Sequence, residues 1–297
     1  MSERKIEDIR HKRKWHIWLV LIVALAVTLF PIFWTLVTSF KPSTEITDPK
    51  PIWIFKPTLE HYKSILIKEK ETQDFSTGAQ SIVGIQTFDF YKYLINSLVI
   101  AISTTVLAMV IAYPAAYSLA RYRTLGDNYS FWVLSIRMLP PIIFLIPISI
   151  LFALYGLSDT RLGLIIAYLT FNIPFACWII KSFIEDIPAD LEKAAYMDGY
   201  SRFQVMTRIV FPLTRSAVAA VMIICFIFSW NEFLFAMVIS FIRSTPLTAG
   251  VGLFVTGYGI RWGRIAAAAV IAIIPTVVVG LIGQRYLVRG LTMGAVK

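Results

Sequence analysis

IPADLEKAAYMDGYSRFQVMTRIVFP, residues 187–212, is the longest run in the C-terminal half that is not membrane-like, and apolar spans flank it on both sides. Its local chemistry predicts two short helices. Pro188 suits a first helical position, and Asp190 and Glu192 fall in the first turn, where the helix dipole favours negative charge. Leu191, Ala194, Ala195 and Asp198 share one face at spacings of three and four. Asp198-Gly199 stops this helix, because glycine tolerates the left-handed backbone of a C-terminal cap. Ser201, with Gln204 three residues on, is a capping-box pattern that opens a second helix striped by Phe203, Met206 and Val210. Pro212 ends that helix or opens the next span. Two small amphipathic helices at a membrane edge need a surface to dock against.

The flanking runs set the class. Of 297 residues 57% are hydrophobic, and the mean hydropathy is +0.70; soluble domains average about 45–50% apolar. Runs of about 20 apolar residues cross the hydrocarbon core of a bilayer. The formal charge is +10 although only 15% of residues are charged. In a soluble chain that balance points to nucleic acid. Here Lys and Arg mark the cytoplasmic ends of membrane helices, so membrane lipid is the expected surrounding and no nucleic acid is. Cys177 and Cys225 lie inside apolar runs and read as small hydrophobes, not as a disulfide or metal pair. The first span is too long for the apolar core of a signal peptide and lacks an A-x-A-like exit.

Taken in order, residues 1–15 form a basic cytoplasmic tail ending in Lys12, Arg13, Lys14 and Trp15. Span one covers 16–40, with Trp15, Trp18 and Trp34 as interfacial aromatics. Residues 41–91 are an extracytoplasmic loop with one short helix near Leu59–Ile67 and an inserted segment at 68–87. A core over 92–289 holds the remaining spans, at about Tyr93–Leu119, Tyr129–Leu154, Leu162–Phe183, Leu213–Ile242 and Ile265–Leu287. Pro140, Pro141 and Pro147 break the third, which places it inside a bundle or along a path, because freed backbone carbonyls need protein or water. Residues 243–263 are a Gly-rich exterior loop, and 290–297 a cytoplasmic tail. The expected fold is an all-α integral membrane protein of six transmembrane helices, with the helix pair of 187–212 on the cytoplasmic side between helices four and five. Six spans put both termini on one side. Sixteen Lys/Arg fall in segments on that side, four in the two short loops opposite and seven in the long exterior loop counted through Lys92, where charges spread far from the spans say less about orientation.

Enzyme chemistry finds no support in the motifs. The chain has no G-x-x-x-x-G-K-[ST], H-E-x-x-H, C-x-x-C or G-x-S-x-G, and His11, His16 and His61 fall in no metal spacing. No catalytic residue, metal ligand or cofactor is expected in the chain itself. Polar groups inside the spans form the second constellation. A membrane-embedded charge costs about 2.5–3.5 kcal/mol on insertion scales, so Arg137 in span three and Glu232 in span five must face protein or water. One reading has them line a substrate pathway. The other has Arg137 snorkel, or pair with Glu232 as bundle glue. Trp230-Asn231-Glu232 together suit a carbohydrate and favour the pathway; Asn172 beside Pro174 suits a helix–helix hydrogen bond. Gly283 and the alanines at 266–269 are close-packing features.

The opening stretch resembles the EAA loop of ABC-importer permeases, a pattern of E-A-A, three residues, Gly, nine residues, Ile, one residue, Leu and Pro. Here Ala194-Ala195 precede Gly199 at that spacing, and Ile209, Val210, Phe211 and Pro212 follow. Lys193 stands at the motif glutamate with Glu192 just before it, and Phe211 replaces the leucine. KPSTEIT, TLEHY, NSLVIA, RMLPPIIFLIP, WNEFLFAMVIS and QRYLVRGLTMGAVK are similar to segments of carbohydrate-uptake permeases related to the inner permease subunit of the maltose transporter. The resemblance implies a permease subunit in a bacterial or archaeal inner or plasma membrane. It implies ATP and Mg bound by a dimer of separate ATP-binding subunits, a homologous second permease, an extracytoplasmic solute-binding protein and a sugar substrate. It also implies that Leu191, Glu192, Lys193, Ala194, Ala195, Asp198, Gly199, Phe203 and Met206 couple to the ATPase. The tail TMGAVK would enter the interface between the ATPases. A permease for a non-sugar solute is the alternative. A stand-alone secondary transporter is a further one, but it predicts inverted repeats and several buried carboxylates, and the spans hold only Glu232. A structural scaffold leaves the proline-broken spans and the docking loop without a purpose.

Overall fold

The computed structural model describes residues 3–50, 52–67, 88–122, 126, 132, 133, 135, 139–256 and 259–293. Arg137, the segment 68–87 and the residues beyond Met293 lie outside them. In chain order the helices are α1 Glu3–Ser39, α2 Ser43–Ile46, α3 Glu60–Leu66, α4 Phe90–Tyr122, α5 Pro141–Leu154, α6 Arg161–Glu185, α7 Ala189–Met197, α8 Arg202–Val205, α9 Phe211–Trp230, α10 Leu234–Ile239, α11 Leu247–Gly250 and α12 Trp262–Met293. Among the described residues, five helical stretches are long and apolar enough to cross a membrane: Trp15–Ser39, Phe90–Tyr122, Arg161–Glu185, Arg202–Trp230 and Trp262–Gln284. The sixth expected span is described only as α5, which starts at Pro141 with Pro140 as its N-cap. Its 14 residues reach about 21 Å at 1.5 Å per residue.

The described residues fall into two compact units. The first holds α1 to α3, a two-stranded hairpin and the start of α12. Its strands, β1 Val255–Thr256 and β2 Gly259–Ile260, pair antiparallel and are the one departure from an all-helical chain among the described residues. The apolar window of α1 buries none of its residues within the chain. The end of α1 is tied to α3 by polar contacts. Ser39 Oγ lies 2.7 Å from Tyr62 Oη, and His61 Nε2 lies 2.8 Å from the Lys41 carbonyl.

The second unit is the helical core, α4 to α11 with the rest of α12. Long α4 and α6 pack side by side, and α9 crosses both. Small residues let them approach: Ala108, Ala112 and Ala116 recur every four positions on α4 and are fully buried, as are Ala167 and Ala176 on α6. One apolar cluster, with Tyr113, Tyr117, Ile180, Ile184 and Val221, reaches Ala195 of α7 and Val205 of α8. A second joins Ile100, Phe152, Leu164, Tyr168, Phe235 and Ile239. Gly283 is a packing position, as its composition suggests: a Cβ there would sit 2.5 Å from Ile223 Cδ1.

Span five departs from its expected bounds at both ends. Helix α8 does not stop before the membrane. It continues through a π-turn over Met206–Val210 into α9. Pro212 has no N–H to donate and its ring crowds the carbonyl four residues back, so the chain widens there, with Phe211 N–H donating to the Met206 carbonyl. At the far end α9 stops at Trp230 instead of running to Ile242, and α10 begins four residues later.

The turn before α6 is built by Asp159, a residue in left-handed backbone (φ 55°). Its carboxylate accepts backbone N–H bonds from Phe241, Ile242, Arg243 and Ser244. Arg161 Nε donates to Asn96 Oδ1 at 2.8 Å, and Asn96 Nδ2 donates to the carbonyls of Arg243 and Thr245. Ser97 Oγ accepts from Leu247 N–H at 2.8 Å. One end of α4 is thereby fastened to the 241–247 loop.

Burial works to raise the Asp159 pKa, but the four backbone donors outweigh it and hold the carboxyl below its ordinary value of 3.8. A depressed folded-state value means that the charge stabilises the fold at all pH above the unfolded value and ceases to as pH falls through the folded one. Asp159→Asn keeps a residue that tolerates left-handed backbone and removes the charge. Discounted for solvent screening at this partly exposed site, the loss is about 1 kcal/mol, or roughly 2–4 °C in melting temperature. The difference from wild type is expected at pH 7 and should close below pH 3.8; equal melting curves at pH 7 would refute the assignment.

Candidate functional site

The helix pair of 187–212 forms, with a geometry that its sequence largely foretells. Pro188 stands one place earlier than expected, as the N-cap of α7, with Asp190 and Glu192 in the first turn. Asp198 caps the C-terminus. Gly199 (φ 86°) donates to the Tyr196 carbonyl and Tyr200 to the Ala195 carbonyl, the paired bonds of a Schellman turn. Ser201 caps α8 by a complete capping box, Ser201 N–H donating to Gln204 Oε1 at 2.8 Å and Gln204 N–H to Ser201 Oγ at 3.4 Å.

The two faces of α7 differ from the expected one. Leu191, Ala194 and Asp198 are exposed, whereas Ala195 and Glu192 turn inward and are its only buried residues. Glu192 is 4% exposed. Its Oε2 accepts from Tyr117 Oη at 2.8 Å, and its Oε1 is ion-paired with Arg121 Nε, both on α4. Glu192 therefore turns toward α4, unlike the exposed Leu191, Lys193 and Ala194 expected to couple beside it. A carboxylate on this face is satisfied only by the donors that α4 brings to it. Met206 packs partly buried against the core cluster. Lys193, at the motif glutamate, is exposed and pairs with Asp190 Oδ1 at 2.9 Å. The Lys193 hydrogen bond and charge hold the Asp190 carboxyl below its ordinary value. Beside these charges the outward surface carries large exposed apolar side chains. Met197 is 88% exposed, Phe203 70% and Leu191 48%, around Ala194 and Gly199. Sequence reading misses Met197; its signal is the i, i+3 spacing from Ala194.

Each described residue expected along the pathway is held by partners within this chain. Trp230 is 2% exposed, and its indole N–H donates to the Ala272 carbonyl at 3.0 Å. Asn172 is buried, with Nδ2 on the Tyr168 carbonyl and on Ser229 Oγ, a helix–helix bond as its setting suggests. Glu232 lies beside Tyr168 of α6. It sits in the break after α9 and accepts the N–H groups of Leu234, Phe235 and Ala236, capping α10. Asn231 is exposed, with its amide on the Ile227 carbonyl. Arg137 lies outside the described residues. A cavity of about 250 Å³ in the first unit is lined by Thr47, Glu60, His61, Ser64, Arg261 and Trp262 among others, and by none of the described pathway residues.

Three comparisons bear on this arrangement. The family model described as "binding-protein-dependent transport system inner membrane component" matches residues 108–293. The chain is 34% identical over 293 residues to the trehalose transport system permease protein SugB of Mycobacterium tuberculosis, covering 97% of this chain and 98% of SugB. It is 32% identical over 279 residues to the trehalose/maltose transport system permease protein MalG of Thermococcus litoralis, covering 93% and 94%. A solved chain from a bacterial ABC transporter involved in the import of the acidic polysaccharide alginate superposes with a TM-score of 0.71, at 21% identity, over 93% of this chain and 98% of that one.

Proposed function

The chain belongs to the family of binding-protein-dependent transport system inner membrane components, and from that premise we propose that it is a permease subunit of an ATP-driven importer for a sugar or sugar derivative. The observation that carries the reading is the outward apolar face of α7 and α8. Leu191 and Met197 are exposed on α7, outside every stretch long enough to cross a membrane, and Phe203 is exposed on α8 at the very start of the stretch Arg202–Trp230; Glu192 braces α7 against the core. Exposed apolar anchors at helical spacing suit insertion into a groove of another protein. The occupant is a separate ATP-binding subunit, which also holds the ATP and magnesium. Closure of an ATPase dimer would draw α7 inward and turn the spans. Solute delivered by an extracytoplasmic binding protein would then pass between this chain and a second permease. The termini and α7 lie on the cytoplasmic side in this reading. The sugar class is supported by relatives that cover more than nine tenths of the chain and are described as trehalose or trehalose/maltose permeases.

Reconstitution of the chain with its ATP-binding subunit, second permease and binding protein in liposomes tests this. Uptake of labelled disaccharide should require ATP on the α7 side and the binding protein on the other. Uptake by the chain alone, without ATP, would refute it. ATP-driven uptake of a non-sugar solute in place of any saccharide in a panel would keep the importer and overturn the sugar.

A further inference from the structure

Only Glu192 and Ala195 of α7 are buried, so no bulky apolar side chain seats this helix on the core. What holds it is polar and comes from the last two turns of α4. Tyr117 Oη donates to Glu192 Oε2 at 2.8 Å, and Arg121 ion-pairs with Glu192 Oε1. The same Arg121 donates through Nη2 to the Ile187 carbonyl, just ahead of α7, at 2.8 Å. Tyr196 Oη lies 3.0 Å from Tyr122 Oη, and the Arg202 guanidinium of α8 stacks 4.8 Å over the Tyr122 ring. The end of α4 thus grips both arms of the helix pair. At its other end Asn96 and Ser97 hold the 243–247 loop.

We propose that Glu192 is a positioning residue that latches α7 to Arg121 and Tyr117, making α4 the strut that carries motion between the docked helix pair and the 243–247 loop. The proposal rests on the reading of α7 and α8 as an ATPase-docking element and adds where the load goes. A buried ion pair with its hydrogen bonds complete contributes little net stability against an apolar replacement, but it fixes one relative position. An apolar contact would let α7 slide, whereas a carboxylate held by two donors from one helix moves with that helix. Load on α7 therefore reaches α4 through Glu192, and not only through the chain continuity of α8 into α9.

The test uses the assembled complex in nanodiscs, with ATP hydrolysis followed with and without the sugar-loaded binding protein. Glu192→Gln and Arg121→Gln are each expected to retain the ATP-binding subunit. Each should lose at least about fivefold in stimulation by the binding protein, the lower range of inter-site coupling. The exchange Glu192→Arg with Arg121→Glu restores the pair and should recover most of the stimulation. Unchanged stimulation in Glu192→Gln would overturn the proposal, as would an exchange variant that assembles and remains as unresponsive as the single variants. Should Glu192→Gln fail to accumulate, Tyr117→Phe removes one hydrogen bond alone and is expected to lose at least about twofold; no loss would overturn the latch. If the wild-type chain retains no ATP-binding subunit, the docking reading itself falls, a result distinct from an assembled but unresponsive complex.

Discussion

Gly199→Val chains are expected to insert in the membrane as wild type and to lose tenfold or more of the sugar-stimulated ATP hydrolysis of the complex. The reason is conformational. Gly199 has φ 86°, and a Cβ built there meets nothing within 4 Å, so there is no clash to relieve. Left-handed backbone costs an L-residue about 1–2 kcal/mol, and more for a β-branched one. The chain escapes by abandoning that φ, which breaks the bonds from Gly199 to the Tyr196 carbonyl and from Tyr200 to the Ala195 carbonyl. The angle between α7 and α8 then changes, and Leu191, Met197 and Phe203 no longer form one surface. Gly199→Asn should be mild, because asparagine tolerates left-handed backbone. Wild-type stimulation in Gly199→Val would show that the angle of the pair is irrelevant to coupling.

The second large effect is expected at Glu232. Its carboxylate accepts from three successive N–H groups, of Leu234, Phe235 and Ala236. In Glu232→Leu these donors keep no side-chain acceptor. A bond to a charged acceptor is worth roughly 1.5–3 kcal/mol, so the loss should lower the melting temperature of the purified chain by roughly 5–10 °C. Glu232→Gln retains an acceptor oxygen and should fall about half as far. Uptake would drop as a consequence of the lost fold. A Glu232→Leu chain of wild-type melting temperature that still fails to transport would restore the pathway role and remove the cap.

Much of the helix pair was legible residue by residue. The Schellman turn at Gly199 and the capping box of Ser201 and Gln204 follow from bonds made within a few residues of each other, which local sequence encodes directly. The exposed Phe203 and Leu191 follow from helical spacing. The inward turn of Glu192 was not legible, because helical spacing ranks positions by polarity, and a carboxylate beside a charged neighbour reads as solvent-facing. Its donors, Tyr117 and Arg121, are more than seventy positions away. The break that Glu232 occupies was hidden for a similar reason: an apolar run from Leu213 to Ile242 looks continuous, and nothing in hydropathy marks that Asn231, Glu232 and Phe233 will leave the helix. The bond from Asn96 to Arg243 and the four-donor cradle of Asp159 are likewise invisible to periodicity.

The sequence alone determined the class of this protein: apolar runs long enough for a bilayer, and a capped pair of short helices spaced like a coupling loop. These rest on hydrophobicity and short-range hydrogen bonds, each a property of contiguous residues. Only the tertiary structure decided which way each face turns. It carried Glu192 inward to α4, left Met197, Phe203 and Leu191 outward, ended α9 at Trp230 and merged α8 with the span that follows. A buried polar group is stable only where another element supplies its partner, and that partner is chosen by how the helices pack.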